Sequence, residues 1–246
     1  LLLAASKQLL LKTASGYWRR LFISGQSMFP AMRYPLWILA ANILAACSTP
    51  ATDLYDTVKL STLGTPDANL SADEIKQIPY ATAYFKIEGL PRALVVLAFA
   101  ENNELKWMSA DRNLFVTRHG RLVKTLGLRD DLRNLTSSEP DPLHNETLRR
   151  AGGHATWRWQ AQWSRYPAVH EMCSELTYVA TQTVEVNGQP RQLVQVEERV
   201  TDVTLAKSYR NEYWLDPVQG DVIMSRQQLG VDLPVVEMTI LNPYTP

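Results

Sequence analysis

The chain has 246 residues, 25 basic and 25 acidic, so its formal net charge is zero, and 46% of it is apolar. That balance gives no electrostatic footprint for nucleic acid or an anionic lipid surface, and it leaves enough apolar material for a real core. Two cysteines, Cys47 and Cys173, exclude a disulfide-stapled scaffold.

Residues 35–43 form a short apolar run, preceded by Arg33 and followed by Leu44-Ala45-Ala46-Cys47 and then Ser48-Thr49-Pro50. A basic flank, a short apolar stretch and small residues before a cysteine are arranged as in a bacterial lipoprotein signal. Cleavage between Ala46 and Cys47 would leave a lipidated Cys47 as the new N-terminus. The run is too short for a spanning helix, which needs about 20 residues. Before Cys47 the chain carries Lys7, Lys12, Arg19, Arg20 and Arg33 and no acidic residue, the asymmetry of an export leader. A leader of ordinary length starts at Met28 or Met32. Residues 1–31 therefore read as an over-extended N-terminal segment, 32–46 as a signal peptide, 47–53 as a lipidated tether and 54–246 as one β-rich domain. With a lipid on Cys47, Cys173 has no partner and is expected to be a small buried apolar residue.

Leu54 and Val58 stand at helical spacing behind Asp53, and Ser71 precedes Glu74 by three residues in a capping-box arrangement. Two short helices are predicted there, ended by Gly64 with Pro66 and by Pro79. After Pro79 the pattern changes to short runs rich in aromatic and β-branched residues, predicting strands over 80–87, 93–100, 105–110, 113–117 and 121–126. His119-Gly120 reads as a tight hairpin turn. Residues 93–100 are apolar on both parities, which predicts a central strand covered on both faces. Residues 128–153 break the rhythm and read as an irregular connector. Strands resume over 155–164, 175–186, 191–201, 207–215, 221–227 and 235–241, with Asn187-Gly188 the strongest hairpin turn. About eleven strands and one or two short N-terminal helices predict an all-β, mainly antiparallel barrel, half-barrel or sandwich.

Strict alternation in Trp157-Arg158-Trp159-Gln160-Ala161-Gln162-Trp163 sends the three indoles to one face and the polar residues to the other. Trp157, Trp159 and Trp163 could form a sugar-stacking platform or fill the core, and the alternation favours the core. His170-Glu171-Met172-Cys173-Ser174-Glu175 contains metal-ligand types, but on a strand His170 faces away from Glu171 and Cys173, and no closed-site spacing accompanies them. A polysaccharide hydrolase needs two carboxylates facing each other, and Glu197-Glu198 point to opposite faces. No nucleophile elbow, phosphate loop or dinucleotide fingerprint is present, so neither catalytic residues nor a cofactor or metal is assigned.

Three strings carry a resemblance: Ile78-Pro79-Tyr80-Ala81, then Trp107-Met108-Ser109-Ala110-Asp111, then the run from Val116 through Thr117-Arg118-His119-Gly120-Arg121 to Gly127. Together with Asn211-Glu212-Tyr213-Trp214-Leu215-Asp216-Pro217 near the C-terminus, they resemble the GfcB/YjbF family of group 4 capsule polysaccharide lipoproteins. The resemblance runs from Cys47 nearly to the end and is weakest over 128–153. It implies an outer-membrane lipoprotein in capsule or exopolysaccharide production, working with envelope protein partners of the export system, and it implies no catalytic residues. Ser48 lacks the acidic character linked to inner-membrane retention, which points to the outer membrane. Read for chemistry alone, Arg118, Arg121 and Lys124 form a local basic patch on the hairpin rim, suited to an acidic polymer or acidic protein. The expectation is thus a non-enzymatic accessory lipoprotein. A glycan- or lipid-binding β domain and a glycan-modifying enzyme are the alternatives.

Overall fold

The computed structural model describes residues 66–245. The helix expected over 54–60, the signal peptide, the tether and Cys47 lie outside the described residues. The helix expected near Ser71 is present as α1 (Ala72–Gln77), opened by the reciprocal Ser71–Glu74 capping box. It lies against β12 and buries Ile75.

Twelve strands follow: β1 (Thr82–Ile87), β2 (Ala93–Glu101), β3 (Glu104–Ser109), β4 (Leu114–Arg118), β5 (Arg121–Leu126), β6 (Leu132–Thr136), β7 (His154–Trp163), β8 (His170–Val186), β9 (Gln189–Asp202), β10 (Lys207–Leu215), β11 (Val222–Gln228) and β12 (Val235–Asn242). They form a single sheet in the order β5-β4-β3-β2-β1-β12-β11-β10-β9-β8-β7-β6. Two antiparallel meanders, β1–β5 and β6–β12, are therefore joined through the β1·β12 pair. The two strands at the ends of the sheet, β5 and β6, are neighbours in the chain, so the sheet has to curl until its edges meet. The result is a nearly closed barrel. Its seam is bridged by side chains: Leu132 N donates to Thr125 Oγ1 at 2.9 Å, and Asp131 accepts from Thr125 Oγ1, Gly127 N and Leu128 N.

The inward parity of both meanders fills the barrel. Phe85 stacks on Phe115 with ring centroids 4.6 Å apart, and Trp107, Met172, Leu176, Val196, Tyr213 and Met238 pack in the same core. Indole N–H groups buried with them are paired: Trp107 Nε1 donates to Thr117 Oγ1, Trp159 Nε1 to Ser174 Oγ and Trp163 Nε1 to the Leu229 carbonyl. Among the described residues, Thr82 Oγ1 is the one buried side-chain polar atom left without a partner.

The outer surface has two characters. Glu197, Glu212, Arg226, Glu237 and Lys86 stand in direct cross-strand register over β9, β10, β11, β12 and β1. A charged belt of that kind cannot face hydrocarbon, so this barrel does not span a membrane with its strands. No helix among the described residues is long and apolar enough to cross one. On the other side, Val96, Met108, Leu114 and Leu126 form a cross-strand apolar row on β2–β5. This corrects the expectation for residues 93–100: β2 is covered on its inner face, whereas Ala98, Phe99 and Ala100 are exposed, because the bulge between Leu97 and Phe99 ends at an uncovered outer surface.

Candidate functional site

The β4–β5 hairpin organises the interior. His119 and Gly120 both adopt positive φ, 49° and 81°, as a two-residue hairpin turn demands. The turn leaves Arg121 pointing into the barrel, where it is 2% exposed. Its Nη1 donates to both carboxylate oxygens of Glu198, at 2.9 and 2.8 Å, and to Tyr213 Oη at 3.0 Å. Nε and Nη2 donate to the two oxygens of Asp141, at 2.6 and 3.2 Å. Asn211 Nδ2 and Tyr213 Oη donate to Glu198 as well, and Gln227 clamps the hairpin by accepting from Leu122 N and donating to the Gly120 carbonyl. The guanidinium also lies 4.7 Å from the centre of the Trp157 ring. Burial works against its charge, but Asp141 and Glu198 more than offset that, holding its pKa well above the ordinary arginine value. Burial is likewise the first cause of the upward shifts of Tyr209 and Tyr213.

This cluster is a latch. One cation joins β5 to β9, to β10 and to the 3₁₀ turn Pro142–His144. Glu198 and Asp141 are both bound to the Arg121 guanidinium, and Glu198 is wholly buried. The sequence carried a legible trace of it: Glu198 lies on the apolar parity of β9 between Val196 and Val200, and Asn211 lies between Tyr209 and Tyr213 on β10. A polar residue in an inward register needs a buried partner.

The basic patch expected at the hairpin does not exist as such. Arg121 is buried, Arg118 pairs with Glu104 at 2.6 Å, and Lys124 alone of the three is exposed without an ion-pair partner among the described residues. Hairpin twist and the bulge between Val116 and Thr117 split residues that the linear sequence places together. The tryptophan platform is also absent: Trp157, Trp159 and Trp163 are 3%, 6% and 3% exposed. Indoles of roughly 150–250 Å² each contribute about 4–6 kcal/mol of gross burial at ~25 cal/mol/Å², more than the about 1–3 kcal/mol that stacking on an exposed ring supplies.

The polar face of that strand is open. Arg158 and Gln160 pair across to Cys173 and Glu171 of β8, and all four point outward. They line a cleft of about 740 Å³ walled by Thr136, Ser137 and Ser138, where the chain leaves β7 after the short β6. Cys173 is half-buried in this cleft, which corrects the expectation that it lies in the core. His170 points the other way and bonds Asp202 at 2.7 Å, joining β8 to β9 inside the barrel. No group of three or more His, Cys, Asp or Glu side chains comes together to hold a metal among the described residues.

At the barrel rim the His119 and His144 rings lie 4.4 Å apart. Burial, followed by the neighbouring His144, lowers the His119 pKa, while Asp141 and Asp221 oppose the shift and Arg118 adds to it. A histidine with a lowered pKa binds fewer protons folded than unfolded, so its contribution is complete above the unfolded value of about 6.5 and is lost as pH falls below it. His119→Asn, tolerated at positive φ, should therefore lose less stability than the parent between pH 7.5 and pH 5.5, as read from urea midpoints. An equal loss would show that His119 does not carry this dependence.

A family model described as "Group 4 capsule polysaccharide lipoprotein gfcB, YjbF" matches residues 55–241. The chain belongs to the GfcB/YjbF family of group 4 capsule polysaccharide lipoproteins. It is 34% identical to the uncharacterized lipoprotein YjbF of Escherichia coli K12 over 213 residues, covering 86% of this chain and 98% of the relative. Over 214 residues it is 31% identical to the uncharacterized lipoprotein GfcB of the same organism, covering 86% and 99%. The crystal structure of the hypothetical lipoprotein YmcC from E. coli K12 is similar, with a TM-score of 0.65, 30% identity and coverage of 78% of this chain and 96% of that one. The match spans both meanders, so the family resemblance read from the sequence and the all-β fold agree. Membership ties the chain to capsule polysaccharide and to the lipoproteins of the cell envelope.

Proposed function

We propose that the chain is held through a lipidated Cys47 on the periplasmic face of the outer membrane and serves capsular or extracellular polysaccharide assembly or export as a non-enzymatic accessory. It acts by binding protein partners of the export system. The saturated interior carries this reading: the core is filled, and Arg121, Glu198, Asp141, Asn211, Tyr213 and Gln227 satisfy one another, so the outer surface is what remains for function. The apolar row on β2–β5, with exposed Lys124 at its border, suits a protein partner with an apolar patch and an acidic rim.

The test is deletion of the gene with surface polysaccharide measured under inducing conditions. Loss of polysaccharide, restored by the parent gene but not by Cys47→Ala or by Met108→Asp with Leu126→Asp, is the expected result. Unchanged polysaccharide on deletion would overturn the assignment. Full restoration by Cys47→Ala would remove the anchor from it, and full restoration by the double variant would remove the β2–β5 face.

A further inference from the structure

The cleft on the outer face of β7 and β8 gathers polar groups that neither the core nor the interior latch uses, over a base to which Trp159 and Met172 of the core also contribute. Its floor is rigid, because Arg158 and Cys173, and then Gln160 and Glu171, are directly paired positions of adjacent strands. One wall is the segment Thr136–Ser138, fixed in place by Ser137 Oγ donating to the Arg158 carbonyl at 2.7 Å. Val203 closes the far end, its N–H bonded to the Glu171 carbonyl at 2.9 Å. Arg158 and Glu171 form no ion pair among the described residues, and they sit one inward–outward repeat apart, roughly 7 Å along the strand. The cleft thus offers a guanidinium at one end, a carboxylate and an amide at the other, and serine and threonine hydroxyls along its side. At about 740 Å³ it falls within the ~300–1,000 Å³ range of ligand clefts.

Sugar hydroxyls donate and accept at once, so they need neighbours of both kinds in fixed positions. Gln160 supplies donor and acceptor, Glu171 accepts, and the Thr136 and Ser138 hydroxyls do either, while the Ser137 hydroxyl is engaged by the Arg158 carbonyl and the Glu139 N–H. The exposed Val203 side chain offers an apolar contact for the C–H face of a ring. A free guanidinium adds a preference, because it binds a carboxylate by a charge-assisted and often bidentate contact. Glu171 repels a second acidic group at the opposite end, which gives the bound chain a direction.

We propose that this cleft binds a short stretch of polysaccharide carrying a uronic-acid carboxylate, with the carboxylate on Arg158 and ring hydroxyls on Gln160, Glu171, Thr136 and Ser138. It rests on the capsule reading for the presence of polysaccharide, and on the cleft alone for the preference. The strand of three tryptophans takes part mainly through its polar face, and Trp159 is the one of the three that also borders the cleft.

Cys173 makes the occupancy measurable. In the full chain bearing Cys47→Ala it is the sole thiol, and its reaction with a maleimide reports on the cleft. A hyaluronan tetrasaccharide, which contains hexuronate, should slow that reaction several-fold and bind by calorimetry, and cellotetraose should do so far less. Arg158→Gln should weaken hyaluronan tetrasaccharide binding by about 10-fold or more, as expected for loss of a charge-assisted hydrogen bond. Arg210→Gln, on the same outer surface two strands from β8, should leave it unchanged. Absence of both binding and protection, equal binding of the two tetrasaccharides, or indifference to Arg158→Gln would overturn the proposal. Its failure is separable from failure of the capsule reading. If deletion abolishes polysaccharide but the oligosaccharide neither binds nor protects, the cleft assignment falls alone; if deletion changes nothing while the cleft binds as described, the pathway falls and the cleft stands.

Discussion

Arg121→Met should lower the unfolding free energy by about 3–5 kcal/mol, the usual cost of leaving a buried charge without its partner. The methionine fills much of the same space, so the loss comes from electrostatics and hydrogen bonding more than from a cavity. Glu198, wholly buried, keeps only the Asn211 amide and the Tyr213 hydroxyl, and Asp141 loses both of its guanidinium contacts. Arg121→Lys should recover part of the stability and no more. A single ammonium cannot reproduce a fork whose Nε and Nη2 serve Asp141 while Nη1 serves Glu198. Urea unfolding gives the magnitude, and amide exchange at Leu143, whose N–H donates to Asp141 Oδ1 at 3.0 Å, gives the location, because the 3₁₀ turn should loosen first. A loss below about 1 kcal/mol would show that the network is dispensable and that the core alone closes the barrel.

That latch explains why the sequence yielded the fold more readily than the site. Alternation and hairpin chemistry placed β5 and β10 correctly, and Asn187-Gly188, at φ 53° and 75°, turns β8 into β9 as its composition requires. Strand β6 escaped detection because the bulge between Leu132 and Asn134 leaves its two buried leucines three residues apart, a spacing that mimics a turn of helix. The first five residues of β8 escaped because two of their three inward side chains, His170 and Ser174 on either side of Met172, are polar groups that a barrel interior accepts only with partners supplied by other strands. Arg121 shows the same limit. Its neighbours Arg118 and Lys124 suggested a surface patch, and only the approach of β9, 77 residues later in the chain, makes it interior. The cleft was half legible: alternation correctly separated Arg158 and Gln160 from the indoles, but which face lay open depended on β6 ending at Thr136.

Gly120→Ala tests the same hairpin from its backbone and should cost about 2–5 kcal/mol, combining left-handed strain of roughly 1–2 with overpacking of roughly 1–3. At φ 81° an L-residue is strained whatever the surrounding space, and here there is none: an added Cβ would stand 2.3 Å from Val222 Cβ and 2.6 Å from its Cγ2. Val222 is buried at the start of β11 and has no room to withdraw. The turn must move instead, and it carries the Gly120 carbonyl bonded to Gln227 and the adjacent Arg121 bonded to Glu198. Gly188→Ala supplies the control, since Gly188 has nearly the same φ, 75°, but open space around it. It should show the strain alone, about 1–2 kcal/mol. The difference between the two urea midpoints isolates the contact with Val222, and Val222→Gly in the Gly120→Ala background should return part of that difference. Equal losses at the two glycines would mean that the hairpin lifts off β11 freely, and the interior latch would then be held by Arg121 and its carboxylates without help from the close approach of backbone and valine.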